Sequence, residues 1–357
     1  MSLQVGIVGL PNVGKSTLFK ALTKKQVDCA NFPFCTIEPN VGVVAVPDDR
    51  LEALAARSGP EKVIPTTVEF VDIAGLVAGA AKGEGLGNRF LSHIRMVDAI
   101  IEVARAFEDE DIVHVSGRID PASDVMTIGL ELAYADLEVV EKRKEALERS
   151  LKAGRERLAE LELEAINKVL VLLAAGRPAR EAALSADELK AIKGLQLLTM
   201  KPHLFVLNVD EGQLKSGARL AGVPEELQIP LCVKLEEEIA GLPEGEVQEY
   251  LNGLGLEMTG LDRLIGSSYR LLGLITFFTS GPKETRAWTV CRGTKAPQAA
   301  GTIHSDFEKG FIRVEVTDWQ DFAELGEVGA RDAGKMRLEG KDYVIRDGDV
   351  CYFRVST

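Results

Sequence analysis

The chain has 357 residues, 46% of them apolar, and a formal net charge of −13. That length supports two or three domains with cores of their own, and the apolar share argues against extensive disorder. The acidic balance excludes a uniformly basic nucleic-acid surface while leaving room for a local RNA-binding face.

The first element is the apolar strand Val5–Val8, which begins so close to Met1 that no secretory signal is expected. Gly9-Leu10-Pro11-Asn12-Val13-Gly14-Lys15-Ser16 then fills every slot of the GxxxxGK[ST] phosphate loop and opens onto a helix from Thr17. In that strand–loop–helix setting, backbone N–H groups cradle phosphates at the helix N-terminus. Lys15 reaches the β- and γ-phosphates, and the Ser16 hydroxyl is a Mg²⁺ ligand. The Asn12 amide is a candidate ligand for K⁺ shared with the phosphates; the alternative is that it braces the loop through its own backbone bonds.

Next comes Asn31-Phe32-Pro33-Phe34-Cys35-Thr36-Ile37-Glu38-Pro39-Asn40, in which Thr36 is placed to complete the Mg²⁺ shell when the γ-phosphate is present. The strand Thr67–Val71 ends in Asp72-Ile73-Ala74-Gly75. Asp72 is expected to hold Mg²⁺ through water, and the Gly75 N–H to meet the γ-phosphate. Leu76 stands where many GTPases carry the glutamine that orients the attacking water, so the site either lacks that water-positioner or recruits another. The glycine-rich stretch Ala81–Arg89 follows. Strand Ala99–Val103 leads through the acidic segment Phe107–Asp111 to His114. His114 is the attractive substitute for the missing glutamine; local sequence leaves the reading of a surface-loop histidine open.

From residue 128 to 199 the pattern turns charged and helical. Leu130, Ala133, Leu137, Val140, Leu147, Leu151, Leu158, Leu161 and Ala165 form a stripe that Lys144 and Gly154 interrupt. Gly176-Arg177-Pro178 breaks it, and Ser185 with Glu188 forms a capping box for another helix. The expectation is an antiparallel helical hairpin whose first arm has roughly 40 residues, about 60 Å, and whose projecting form suits a partner.

A buried strand, His203–Leu207, leads into Asn208-Val209-Asp210-Glu211. A guanine-specific site carries N-K-x-D here, its aspartate accepting from N1–H and the 2-amino group. Val209 replaces the lysine and Glu211 the aspartate, which removes the pairing that selects guanine. ATP is therefore expected over GTP, with adenine read by Asn208 and nearby backbone. The last region, from about Leu274, reads as strands Leu274–Thr279 and Arg286–Val290, a helix Ala299–Lys309, then strands Phe311–Val316, Tyr343–Arg346 and Val350–Val355. That order suggests a small α+β domain with a grasp-like sheet. Five cysteines scatter without metal-site spacing, no apolar run approaches a bilayer span, and a cytoplasmic protein is expected.

The motifs GLPNVGKST, NFPFCTIEPN, DIAGLVAGAAKGEGLGNRFLSHIR and NVDE, followed by the grasp-like region, together resemble the YchF-type Obg-like ATPases over essentially the whole chain. The resemblance implies an α/β P-loop NTPase domain over 1–274, interrupted by a helical hairpin over 128–199, and a TGS domain over 275–357. It implies slow hydrolysis of Mg-ATP to ADP and phosphate, a cytoplasmic setting, and association with the ribosome or its large subunit, through rRNA and protein; we expect a monomer with no membrane partner. By position it assigns Asn12, Val13, Gly14, Lys15, Ser16 and Thr17 to phosphates, Ser16 and Thr36 to Mg²⁺, and Asn208 with Val209 to the base. It puts His114 where the family's catalytic histidine falls. Two other functions fit the same motifs: a GTPase of ribosome assembly, and a ribosome- or RNA-binding factor whose hydrolysis is incidental.

Overall fold

Short, fully buried apolar strands set the architecture. The computed structural model describes residues 3–25, 40–73, 86–109, 114, 117–153 and 156–356. They group into two compact units, one running to Lys24 and resuming over 40–42 and Phe70–Leu261, the other holding Val43–Glu69 and the chain from Asp262.

In the first unit the strand order from Phe70–Asp72 onward is Thr67–Asp72, Gln4–Val8, Ala99–Arg105, His203–Asn208, Gln228–Leu231. Gln4–Val8, Ala99–Arg105, His203–Asn208 and Gln228–Leu231 run parallel, with Val5 opposite Ala99 and Ile100 opposite His203. All seven residues of Ala99–Arg105 are buried, as expected for a central strand of a sheet covered on both faces. In such sheets ligands bind beyond the carboxyl ends of the strands, here at Val8, Arg105 and Asn208.

The helical insertion differs from its sequence reading in one respect. The stripe read as a single arm of some 40 residues is two helices, Pro121–Ala153 and Arg157–Ala174. The first arm ends at Ala153 and the second begins at Arg157, so the two arms meet well before Gly176. Arg143 on the first arm and Glu162 on the second make a two-pronged ion pair at 2.6 and 2.7 Å, and Ala133, Val140 and Leu147 pack with Ala165, Ile166, Val169 and Leu173. The Ser185–Glu188 capping box is present and starts the short helix Ala186–Ile192. Buried Asp136 anchors the insertion to the chain's return, accepting from Leu198 N–H, Thr199 N–H and the Thr199 hydroxyl at 2.6–2.8 Å.

Two ionisable groups are buried in the sheet. Glu102 Oε2 and His203 Nε2 lie 2.9 Å apart, at hydrogen-bond distance but outside hydrogen-bond angles. Burial raises Glu102 well above the usual carboxylate range and drops His203 to about 3, so the folded pair holds one proton, on Glu102. The unfolded pair holds none above the ordinary histidine pKa of 6.5 and two below the ordinary glutamate value of 4.5. The pair's contribution to stability is therefore flat between those values, falls as pH rises above 6.5, and falls as pH drops below 4.5 toward 3. Urea unfolding across pH should show Glu102→Gln losing the alkaline slope of this pair, while the acid slope begins near 6.5 instead of 4.5; an unaltered alkaline slope would contradict the assignment.

The second unit carries a six-stranded sheet in the order Arg337–Glu339, Phe311–Asp318, Asp349–Val355, Leu274–Ser280, Glu284–Cys291, Lys62–Ile64. Asp349–Val355 and Leu274–Ser280 pair in parallel, flanked by antiparallel neighbours, and the helix Ala296–Ile303 packs on the sheet through Ala296, Ala299 and Ala300 against Phe277, Val314 and Val316. This is the expected grasp arrangement. Burying a side chain such as Phe277, fully enclosed, stabilises the fold by about 1.5–3 kcal/mol. Four details differ from the sequence reading. Tyr343–Arg346 forms an isolated bridge at Val344 rather than a strand; the helix read at Ala299–Lys309 breaks at His304; a helix from Trp319 to Asp332, kinked at Gly326, was not anticipated; and Lys62–Ile64, from the N-terminal half, pairs in parallel with Glu284–Arg286.

Candidate functional site

The phosphate loop leaves the buried strand Gln4–Val8 and turns into the helix Lys15–Lys24. Two of its glycines are required by close backbone approach. A Cβ at Gly9 would sit 2.6 Å from the Val103 carbonyl oxygen, and one at Gly14, whose φ is +100°, would sit 2.4 Å from the Asn208 amide nitrogen. Asn12 adopts the left-handed conformation with φ 63°, which asparagine tolerates better than most residues. Val13 is fully buried, so its side chain anchors the loop and only its backbone is available to the site. Lys15 is buried with Nζ donating to the Leu10 carbonyl at 2.7 Å, while Ser16 is exposed at the head of the helix.

Burial lowers the Lys15 pKa and raises that of Asp72, and the two groups oppose these shifts in each other by attraction. Asp72 thus stands at the end of its strand within electrostatic reach of the loop. A hydroxyl and a carboxylate at these positions are hard oxygen donors, the set Mg²⁺ uses when phosphate and water complete its shell. Among the described residues no three His, Cys, Asp or Glu side chains cluster into a metal site made of protein alone. Thr36 and Gly75 lie outside the described residues, as does Leu76.

Asn208 holds the site together. Its amide nitrogen donates to the Val13 carbonyl at 2.9 Å, and its side-chain oxygen accepts from the Val233 N–H at 3.2 Å. Both ends are thus engaged in binding the phosphate loop to the base-side loops, leaving one N–H and one lone pair of the amide for a base. Val209 is buried, and its N–H donates to the Leu231 carbonyl. Asp210 caps the helix Glu211–Lys215 in a reciprocal box with Gln213. Glu211 remains exposed at the helix's first position. After the strand Gln228–Leu231, Cys232, Val233 and Lys234 line the cavity, whereas Glu236 accepts from the N–H groups of Gly260 and Leu261.

These groups enclose a cavity of about 790 Å³, walled by Asn12, Gly14–Thr17, Phe107–Asp109, Asn208–Gly212 and Cys232–Lys234. That volume suits a small-molecule ligand. The Phe107–Asp109 wall was not apparent from sequence. Arg105, almost fully buried, donates to the carbonyls of Phe107 and Asp109 at 3.1 and 3.2 Å and lies 4.4 Å over the Phe107 ring. The sequence signal was an arginine ending a mostly apolar strand.

His114 is not part of that wall. Its ring is buried, with Nε2 2.9 Å from the Asp124 carboxylate, in the first turn of the helix Pro121–Ala153. It is therefore not the surface-loop histidine that local sequence left open, and Asp124 was not foreseen at all.

Comparison with known proteins agrees with this geometry. Residues 4–128 match the family described as 50S ribosome-binding GTPase, and residues 274–356 match the YchF-GTPase_C family, described as a protein of unknown function. Proteins called ribosome-binding ATPase YchF from Haemophilus ducreyi and Bacillus subtilis are 54% and 52% identical, with 100% of each chain covered. Obg-like ATPase 1 of Oryza sativa subsp. japonica is 42% identical over 99% of this chain and 92% of its own. The solved structure of the Schizosaccharomyces pombe YchF GTPase superposes with a TM-score of 0.88 at 39% identity, covering 99% and 98% of the two chains. With the phosphate loop, the altered base-side motif and the C-terminal sheet all in place, the chain belongs to the YchF family of Obg-like P-loop ATPases.

Proposed function

We propose that this protein is a ribosome-associated, cytoplasmic ATPase that binds Mg-ATP in the cavity and hydrolyses it slowly to ADP and phosphate. The two nucleotide states serve as a switch in translation. The ribosomal part of this reading is supported by the names its relatives carry, and the chemical part by the cavity.

The backbone of Gly14–Thr17 receives the phosphates at the helix N-terminus. Lys15 leaves the Leu10 carbonyl to meet the β- and γ-phosphates. Ser16, Thr36 and Asp72 are the residues that would hold Mg²⁺, which supplies charge neutralisation at the phosphates when bound. The Gly75 N–H donates to the γ-phosphate, and His114 positions or deprotonates the water that attacks phosphorus, ADP leaving with the bridging oxygen. Asn12 is a candidate K⁺ ligand beside them. Residues 1–274 act as the nucleotide domain, with 128–199 and the TGS domain over 275–357 as the surfaces that meet rRNA and protein, and the protein acts as a monomer.

The observation that carries ATP over GTP is the burial of Val209 in a core cluster with Ala104 and Leu207. Valine at that position offers no ammonium to a base, and the carboxylate that would read guanine is displaced by a methylene in Glu211. Calorimetric titration is expected to give ATP binding several-fold tighter than GTP, and Val209→Lys with Glu211→Asp to move the preference toward GTP. Equal or tighter GTP binding by the unaltered protein would overturn the reading. Turnover measured in K⁺ and in Na⁺ at matched ionic strength, if equal, removes Asn12 as a cation ligand.

A further inference from the structure

The ring of His114 and the carboxylate of Asp124 are each about 95% buried and bonded at 2.9 Å. The His114 carbonyl also accepts from the Gly117 N–H, closing a tight turn in which Gly117 has φ +73°. A ring so enclosed cannot touch a water held on a γ-phosphate in the neighbouring cavity. Yet the two places are close in the chain. Asp109 belongs to the cavity wall, and five residues of extended backbone reach at most about 18 Å.

Asp124 is itself firmly held. Its N–H donates to the Asp120 carbonyl, and Asp120 also accepts from the Ser123 N–H through its side chain. The other charged groups acting on Asp124 are Asp120 and Arg105, the latter also securing the cavity wall at Phe107 and Asp109, while Glu102 nearby is held protonated. Asp124 is moreover part of the 33-residue helix that forms the first arm of the hairpin. A displacement of 1–2 Å at the root of that arm would take the carboxylate out of hydrogen-bond range of the imidazole.

We propose that Asp124 is a positioning residue that acts through His114, holding the imidazole away from the nucleotide cavity until movement of the helical arm releases it. The inference rests on the proposed role of His114 and adds to it the cause of slow basal turnover. A buried hydrogen bond to a charged group favours the withheld state by about 10- to 100-fold, and that factor is what a partner on the arm recovers. Nothing in the scheme requires new chemistry at Asp124, which touches neither nucleotide nor water.

The test compares single-turnover and steady-state ATP hydrolysis of the intact protein with Asp124→Ala, Asp124→Asn, His114→Ala and the Asp124→Ala/His114→Ala double variant. Asp124→Ala is expected to raise kcat about 10-fold at unchanged KM, and Asp124→Asn, which keeps a neutral partner, to raise it less. The double variant should fall to the His114→Ala rate, showing that the gain runs through the imidazole. Because the chain has only four histidines, the imidazole signal that His114→Ala removes can be followed by NMR, and it should shift in Asp124→Asn even if the alanine variant folds poorly. A kcat at or below the unaltered rate in both Asp124 variants would overturn the proposal, since an orienting partner would slow catalysis when lost. A gain that persists in the double variant would also overturn it. An unchanged rate in His114→Ala alone would instead remove the catalytic reading of His114, and the withholding role with it.

Discussion

Replacing His114 by alanine is expected to slow hydrolysis by about 10²- to 10⁴-fold, the usual contribution of a positioned acid–base group. ATP affinity should stay nearly the same. The structure gives the reason for that separation: the imidazole is buried on Asp124 and contributes nothing to the wall around the nucleotide. An interaction made only on the way to the transition state lowers kcat and kcat/KM together. Leu76 stands at the usual glutamine position, which leaves His114 as the residue proposed to position the water. Single-turnover quench with a tracer phosphate checks this directly, and an unaltered rate would leave the attack on phosphorus without an assigned group.

The second large effect is at Lys15. Alanine there should weaken ATP binding by about 10- to 100-fold, the range for a hydrogen bond between charged partners in a secluded site. Hydrolysis should fall as well, because the ammonium also opposes the charge that develops on the transferred phosphoryl group. The protein without nucleotide should be little affected. Lys15 is held there with its pKa lowered by burial, so removing the ammonium relieves a desolvation cost while leaving the Leu10 carbonyl without this donor. Thermal unfolding separates the two effects: the midpoint without nucleotide should barely move, while the rise caused by saturating Mg-ATP shrinks sharply. A variant that melts early without ATP and keeps the full ligand shift would contradict this account.

The legibility of this protein in its sequence varied with how local the determining physics is. The phosphate loop was readable because its spacing, glycines and flanking strand are all dictated within a dozen residues. The central strands were readable because full burial leaves an unbroken apolar run. The hairpin was recognisable, but its reversal was placed too late: the apolar stripe keeps its period across Gly154, so periodicity alone gives no sign that the chain turns back on itself. The helix Trp319–Asp332 was hidden by Gly326 and Gly329, which lower intrinsic helix preference and are tolerated through a kink at the first. At the site, the NVDE motif told that the usual guanine-reading residues are replaced, but not that the Asn208 amide bonds to both Val13 and Val233. Asp124 carried no signal at all. An acidic residue in a first helical turn is ordinary, and only tertiary structure makes it the partner of a histidine ten residues earlier.

The strand Lys62–Ile64 has a consequence for how the chain is made. It completes the edge of a sheet whose other strands all come after residue 273, and Leu51 and Leu54 from the same segment pack with Phe278, Phe322 and Val350. During synthesis this early segment must wait for more than 200 further residues before its partners exist, so the second unit can form only when nearly the whole polypeptide has emerged. A shortened product ending before Leu274 would leave Leu51 and Leu54 without those partners, and an isolated piece beginning there would leave the outer edge of Glu284–Cys291 open to pairing with other chains. Expression of either half alone should therefore favour aggregation, and the two halves are best regarded as one inseparable product of translation.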